Sequence, residues 1–279
     1  MKIKELLEYG KNKLKNNEDN ILITKVLLSY LLEKDKQYLI INQEKEVSDK
    51  IEKEYKEAIE KIKDIYPLQY ITHNQEFMKL NFYVDENVLI PRPDTEILIE
   101  EIINNASKEK QINILDMCTG SGAIGISLAK YIPNAKVYMT DISKKALEVA
   151  QKNAETNKVE EQIHFIESNM FEKIPDIKFD IIVSNPPYIE TKNIKSLDEE
   201  VKKEPNIALD GGEDGLTFYK ILINKSCEFL KPEGFIGVEI GYNQKNQVIK
   251  LLEKRGVYKD IYCKKDLGEN DRVIIAKLA

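Results

Sequence analysis

The chain has 279 residues, of which 42% are hydrophobic and 32% charged, with a net charge of -6. That length holds one large core plus a smaller domain, the composition excludes a disordered chain, and the acidic balance argues against bare nucleic acid as the main partner. No signal-type apolar stretch follows Met1, and the most apolar run, 21–32, carries Lys25 and is shorter than the roughly 20 residues that cross a bilayer, so a cytoplasmic protein without a membrane partner is expected.

From Ile3 through Ile65 apolar residues recur at helical spacing: Ile3, Leu6, Leu7 and Leu14, then Val26 and Leu27, then Ile51, Tyr55, Ala58, Ile59 and Ile62. Several short helices are expected to form a small all-helical domain over 1–66. Ser48 or Asp49 should cap the third long helix and Pro67 should stop it after Tyr66. Glu52 with Lys56 and Glu57 with Lys61 stand i,i+4 on its outer face, each pair worth a few tenths of a kcal/mol. Residues 67–91 then read as a linker, in which Phe77, Leu80, Phe82 and Val84 suggest a small hairpin.

The second domain, 92–279, opens at Arg92-Pro93-Asp94, with Asp94 placed to cap the helix carrying Ile97, Leu98, Ile102 and Ile103. Strands and helices then alternate: strand 112–116, helix 122–130, strand 136–140, helix 143–156, and strands 163–167 and 179–184. After a long insertion over 189–215 come a helix through Phe229, strand 235–239, helix 243–255 and strands near 258–263 and 272–278. This pattern predicts a doubly wound, Rossmann-like sheet. The last two strands lie too close in sequence for a parallel crossover, which takes a dozen or more residues, so they should pair antiparallel.

Three strand ends in this domain carry chemistry. Strand 112–116 ends in Asp116 and runs through Met117-Cys118-Thr119-Gly120-Ser121-Gly122 into a helix, whose first N–H groups suit a carboxylate or phosphate. Strand 136–140 ends in Asp141, at the distance expected of an acid that takes ribose hydroxyls. Gly120, Gly122 and Gly125 also match a dinucleotide loop, so the glycines alone do not decide the cofactor. The deciding feature is the third strand end, Ser184-Asn185-Pro186-Pro187-Tyr188. Consecutive prolines fix the local backbone, so the Asn185 side-chain oxygen and a backbone carbonyl form a rigid pair of acceptors for one planar NH2 group, with Tyr188 able to pack on it. Such a cradle orients an amide nitrogen for direct displacement at an electrophile. It has no use in hydride transfer; it suits methyl transfer to nitrogen, and the cofactor indicated is S-adenosylmethionine. Asn-Pro-Pro is otherwise a plain turn.

The runs 89–96 (Leu-Ile-Pro-Arg-Pro-Asp-Thr-Glu), 116–122, 185–188 and 204–216 together resemble the PrmC/HemK family of peptide-chain release factor glutamine methyltransferases. The likeness holds in order from Pro67-Leu68-Gln69-Tyr70-Ile71 to the run 266–272. It implies a class I S-adenosylmethionine-dependent methyltransferase fold with an antiparallel last strand, and methylation of the side-chain amide nitrogen of the Gln in the Gly-Gly-Gln motif of class I release factors. It also implies that Asp116, Cys118, Thr119, Gly120, Ser121 and Gly122 bind the cofactor, with Thr119 to Gly122 bordering the methionine moiety, while Asp141 takes the ribose and Asn169-Met170 flank the adenine. Asn185, Pro186, Pro187 and Tyr188 would hold the substrate amide, with Asn185, Pro186 and Tyr188 catalytic and Asn185 also touching the cofactor. Arg92 would meet the incoming loop or clamp the linker, and Glu204-Pro205 with 209–212 would wall the entrance, although Gly211-Gly212 also reads as an ordinary turn. The helical domain would grip the release factor away from its loop. Cys118 stands where many members carry Gly, which removes freedom for positive φ.

Three other readings share parts of this pattern: a ribosomal-protein glutamine methyltransferase, an adenine N-methyltransferase acting on a flipped base, and a non-catalytic module that binds the cofactor or the release factor. The run 91–96 is typical of the release-factor branch, the acidic balance speaks against the second reading and an intact Asn-Pro-Pro-Tyr against the third. Cys118, Cys227 and Cys263 are unclustered and His73 and His164 lie far apart, so neither a disulfide framework nor a metal site is expected.

Overall fold

The computed structural model describes residues 1–107 and 109–279, which form two compact units: residues 1–73 with 199–203, and residues 74–198 with 204–279. The first unit contains α1 (Ile3–Lys13), α2 (Asn20–Leu32), α3 (Lys36–Ile41), α4 (Asp49–Lys63) and α5 (Leu68–Thr72). Its core is the stripe of residues spaced for helices, with Ile3, Leu6, Leu27, Leu28, Tyr55 and Ile59 all buried. Ser48 caps α4 by accepting a hydrogen bond from the Ile51 N–H at 3.3 Å. The expected stop at Tyr66 is corrected: α4 ends at Lys63, and Ile65 takes a left-handed φ of 60° before Pro67. A backbone that has already left the helix does not need the proline to end it.

The second unit begins with a two-stranded hairpin, β1 (Gln75–Phe77) and β2 (Leu80–Phe82), whose Phe77 and Phe82 rings meet edge to face at 5.9 Å. After α6 (Glu96–Asn105) come β3 (Ile112–Met117), α7 (Ala123–Tyr131), β4 (Ala135–Asp141), α8 (Lys144–Asn157), β5 (Ile163–Glu167) and β6 (Phe179–Ser184). Then follow α9 (Thr217–Phe229), β7 (Leu230–Glu239), α10 (Lys245–Arg255), β8 (Tyr258–Lys265) and β9 (Asp271–Leu278). The seven strands β3–β9 form one sheet in the order β5-β4-β3-β6-β7-β9-β8. β9 alone runs opposite to the other six strands, inserted between β7 and β8. The strand order reverses between β3 and β6, which pair in parallel. In an open sheet of this kind, ligands bind beyond the carboxyl ends of the strands at that reversal.

Side-chain alternation along the pleat assigns each residue to a face. Ile112 and Ile114 of β3 pack with α6, α7 and α8, whereas Leu115 and Met117 pack with α9 and α10. Asp116 therefore lies on the α7 face. By the same count Phe235, Gly237 and Glu239 of β7 face α6, where a β-carbon on Gly237 would come within 2.7 Å of Ile102. Asp94 does not cap α6 as expected. It sits in a single 3-10 turn, Pro93–Thr95, and its carboxylate meets Arg272 at 3.2 Å, so a long-range ion pair replaces the local cap.

Candidate active site

A cleft with a cavity volume of about 210 Å³ opens at the carboxyl ends of β3, β4 and β6. Its floor is the loop after β3, with Cys118, Thr119, Gly120 and Ser121 on the wall. Gly120 (φ 54°) has nothing within 4 Å of where a β-carbon would stand, so the backbone itself faces open space. Gly122 and Gly125 serve packing instead: a β-carbon on Gly125 would lie 2.7 Å from Met139 and 2.9 Å from the Asp116 carboxylate. Cys118 takes the strained left-handed φ of 61°, and its Sγ rests 3.8 Å from Met170 Sδ. Burial pushes the Cys118 thiol well above its ordinary value, which keeps it a neutral filler rather than a nucleophile.

Two carboxylates shape this loop. Asp116 is fully buried and is not on the cleft wall; its Oδ2 accepts hydrogen bonds from Thr119 Oγ1 (2.5 Å) and the Gly125 N–H (3.0 Å). Desolvation pushes its pKa up to about 7 against those two bonds. Its other oxygen is buried with no partner. Asp141, half-buried and on the wall, accepts the Gly120 N–H at 2.9 Å and the Ser143 N–H at 2.8 Å, one on each oxygen. Burial raises its pKa and these N–H groups oppose the rise.

Opposite the loop stand Asn185 and Pro187, while Pro186 and Tyr188 lie behind the wall. Asn185 Nδ2 donates to Thr95 Oγ1 at 3.3 Å, and Thr95 Oγ1 donates to Glu239 Oε2 at 2.6 Å. Glu239 is 1% exposed; burial pushes its pKa up to about 7, opposed by Thr95, Arg272 and Asn185. Neither Thr95 nor Glu239 is singled out by motif reading. The available signal is a carboxylate ending the apolar run Phe235–Val238, at the same rim as Asp116 and Asp141.

The insertion 189–215 folds back against the Asn-Pro-Pro segment. Ile189 N–H donates to the Leu209 carbonyl and Gly211 N–H to the Ile189 carbonyl, at 3.0 and 2.8 Å. Buried Gln244 donates from Nε2 to the carbonyls of Tyr188 and Gly215, at 3.0 and 3.1 Å. Gly211 is thus more than a turn residue: a β-carbon there would stand 2.7 Å from Tyr188 Cα. Arg92, on the cleft wall, is paired with the buried carboxylate of Glu204, which also accepts the Ile90 N–H at 3.2 Å. Of the expected site residues, Arg92, Cys118, Thr119, Gly120, Ser121, Asp141, Met170, Asn185 and Pro187 meet at the cleft, and Asp116, Gly122, Pro186 and Tyr188 stand behind it.

A sheet of this order with its antiparallel strand second from the edge, a glycine loop after the first of its strands and an acid after the second defines a class I S-adenosylmethionine-dependent methyltransferase. The comparisons agree. Residues 93–213 match the methyltransferase small domain and residues 5–72 the PrmC N-terminal domain. A release factor glutamine methyltransferase of Clostridium acetobutylicum is 42% identical over 99% of this chain and 98% of its own length. One from Moorella thermoacetica is 38% identical over 91% of this chain and 90% of its own. In fold, the chain resembles a methyltransferase of Pyrococcus furiosus with a TM-score of 0.54 at 18% identity, covering 72% of this chain and 90% of that one. The chain belongs to the release factor glutamine methyltransferase family. No helix among the described residues is long and apolar enough to cross a membrane.

Proposed function

We propose that this protein methylates the side-chain amide nitrogen of the Gln in the Gly-Gly-Gln motif of class I release factors, in the cytoplasm, with the helical unit serving to hold the factor. The observation that carries the reading is the meeting of Asn185, at the end of β6, with the glycine loop, at the end of the paired strand β3, on one cleft. Their neighbourhood is what transfer from a bound donor to a cradled nitrogen needs.

The cleft fits S-adenosylmethionine by its donor set and by the bare backbone at Gly120. Thr119, Gly120 and Ser121, braced from behind by Asp116 and Gly122, would hold the amino-acid end; Asp141 would take the ribose; Asn169 and Met170 would flank the base. When bound, the group supplies a methyl on a sulfonium, an electrophile that needs no metal. The side chain of Asn185 and the backbone of the following proline would accept both hydrogens of the substrate carboxamide, raising electron density on its nitrogen and fixing its direction. Tyr188, next in the chain after Pro187, would pack its ring on the flat amide. The N-protonated amide cation that results from alkylation of the nitrogen is strongly acidic and sheds that proton to water, leaving the neutral N-methyl amide, so no strong base is required.

Incubating the full chain with labelled cofactor and, in parallel, purified release factors, ribosomal proteins and DNA tests the reading, with mass mapping of the labelled residue. Label on the Gly-Gly-Gln glutamine is expected. Label confined to ribosomal protein or DNA, or none on any substrate, would refute it.

A further inference from the structure

Asn185 is useful as a cradle only if its oxygen, and not its NH2, faces the incoming amide, and nothing in the Asn-Pro-Pro backbone decides between the two. The decision is made by Thr95, on the cleft wall, and by Glu239 behind it. A hydroxyl has one proton to give. Thr95 Oγ1, 4% exposed, lies 2.6 Å from a carboxylate oxygen of Glu239, which when ionised can only accept. The Thr95 proton is committed to Glu239, so the same oxygen can offer Asn185 only a lone pair, and Asn185 must turn its NH2 toward it, at 3.3 Å. The carbonyl oxygen of Asn185 then occupies the other branch of the amide. Without a carboxylate behind it, the Thr95 hydroxyl is free to donate to the Asn185 oxygen. The amide then turns over and sets two N–H donors against the two N–H donors of the substrate.

From this chain of bonds we infer that Thr95 and Glu239 are positioning residues for methyl transfer, fixing by proton count which atom of Asn185 faces the substrate. The inference rests on the cradle role proposed for Asn185 and adds what sets its polarity. The groups facing Glu239 make the ionised form a balanced one. Arg272 on β9 favours the charge, while Asp94 in the turn before α6 opposes it. Arg272 is shared with Asp266 at 2.9 Å, so its positive charge is already partly spoken for. Behind the strand, Tyr219 Oη donates to the Glu239 backbone carbonyl at 2.8 Å, so it leaves the carboxylate to Thr95 and to the Asn185 NH2, and both contacts turn that NH2 inward. Burial places the Glu239 pKa at about 7. The carboxyl is therefore increasingly protonated below that pH, and the orientation of Asn185 loosens with it.

The experiment compares wild type, Thr95→Val, Thr95→Ser and Glu239→Gln as full chains, with a purified class I release factor and saturating S-adenosylmethionine, from pH 5.5 to 9. Saturation separates the result from Asp116, which acts under the cofactor loop. Wild-type kcat should fall on the acid side with a midpoint near 7. Thr95→Val, nearly the same shape without the hydroxyl, should lose kcat by roughly 10²-fold, with the cofactor Kd from calorimetry held within about threefold, and should show no acid limb. Thr95→Ser should stay within a fewfold of wild type and keep the limb; Glu239→Gln should fold, bind cofactor and lack the limb. Cofactor binding by each variant shows that a low kcat is not misfolding. A Thr95→Val enzyme with wild-type kcat, or a Glu239→Gln enzyme that retains the acid limb, overturns the inference while the glutamine methylation of the wild type stands. A wild type that transfers no methyl to the glutamine overturns the proposed function instead, and this inference with it.

Discussion

Replacing Gly211 with Ala tests whether the inserted loop braces the substrate cradle. The new β-carbon would stand 2.7 Å from Tyr188 Cα, 2.8 Å from the Tyr188 carbonyl carbon and 2.9 Å from the Pro187 oxygen. Ordinary contact begins near 3.4 Å, so the two segments must part by about 3.4 − 2.7 = 0.7 Å. All three atoms are backbone and cannot rotate away as a side-chain tip would, and the φ of Pro187 is locked by its ring. The loop is no freer, since residues 189, 209 and 211 are tied by backbone hydrogen bonds. Overpacking of this kind costs about 1–3 kcal/mol of stability. A shift of that size passed to Asn185 and Pro187 should lower kcat by roughly 10- to 100-fold, since a displacement of about 1 Å at a reacting pair can cost 10²-fold. The cofactor loop belongs to the neighbouring strand, so the S-adenosylmethionine Kd should stay within about twofold. Steady-state methylation of a release factor, calorimetric cofactor binding and a denaturation midpoint read the three quantities separately. Gly212→Ala is the companion: its β-carbon would strike Thr217 Oγ1 at 2.2 Å, and its φ is 89°, so it should lose stability with kcat changed only a fewfold. Wild-type kcat in Gly211→Ala, or equal losses of kcat in both variants, would refute the brace.

Asn185→Ala should reduce kcat by roughly 10² to 10³, the range seen when one stabilising donor or acceptor is removed from an active site, and change cofactor Kd far less; equal losses in both would count against its role as an acceptor. Glu204→Ala strips both the Arg92 guanidinium and the Ile90 N–H of their acceptor and should destabilise the sheet unit by about 2–3 kcal/mol, as a hydrogen bond to a charged group is lost in a buried setting; a change under 0.5 kcal/mol would show the pair to be idle. Asp116 has a folded pKa raised to about 7 by desolvation, so between its unfolded value near 4 and 7 the native state binds more protons and stability falls as pH rises. The stability advantage of wild type over Asp116→Asn should therefore shrink from pH 5 to pH 8 in urea unfolding, and a gap that does not move with pH would contradict the assigned cause.

Local rules read well from this chain wherever one element decides its own fate. The β-branched runs Ile112–Leu115 and Phe179–Val183 are strands because their side chains fill both faces of a covered sheet, and the glycine loop follows from Gly120 and Gly122 needing positive φ. What stays hidden is whatever depends on a distant partner. Asp94 has the chemistry of a helix cap, yet Arg272, far along the chain, outbids the adjacent N–H groups for its carboxylate. Thr95 and Asn185 are 90 residues apart, and Thr95 and Glu239 are 144 apart, so the hydroxyl in the run Pro-Asp-Thr-Glu carries no local sign of its partners. Gly211-Gly212 follows turn statistics equally well whether or not Tyr188 lies 2.7 Å away.

The placement of charge along the two edges of the sheet follows one physical logic. At the amino end of β6 the carboxylate of Asp180 is met by Lys231 at 2.7 Å, an ordinary ion pair. At the carboxyl end, Asp116 and Asp141 are held by N–H and O–H groups of the loop and helix starts. Neutral donors fix the geometry but only partly offset desolvation, which is why both acids have raised pKa values. A lysine in either place would set a fixed positive charge against the sulfonium that binds in the cleft. The arginines at this rim obey the same constraint: Arg92 is paired with Glu204, and Arg272 with Asp266 and Asp94. The sheet thus holds its acids with neutral donors at the edge where a cationic donor binds, and with a lysine at the other.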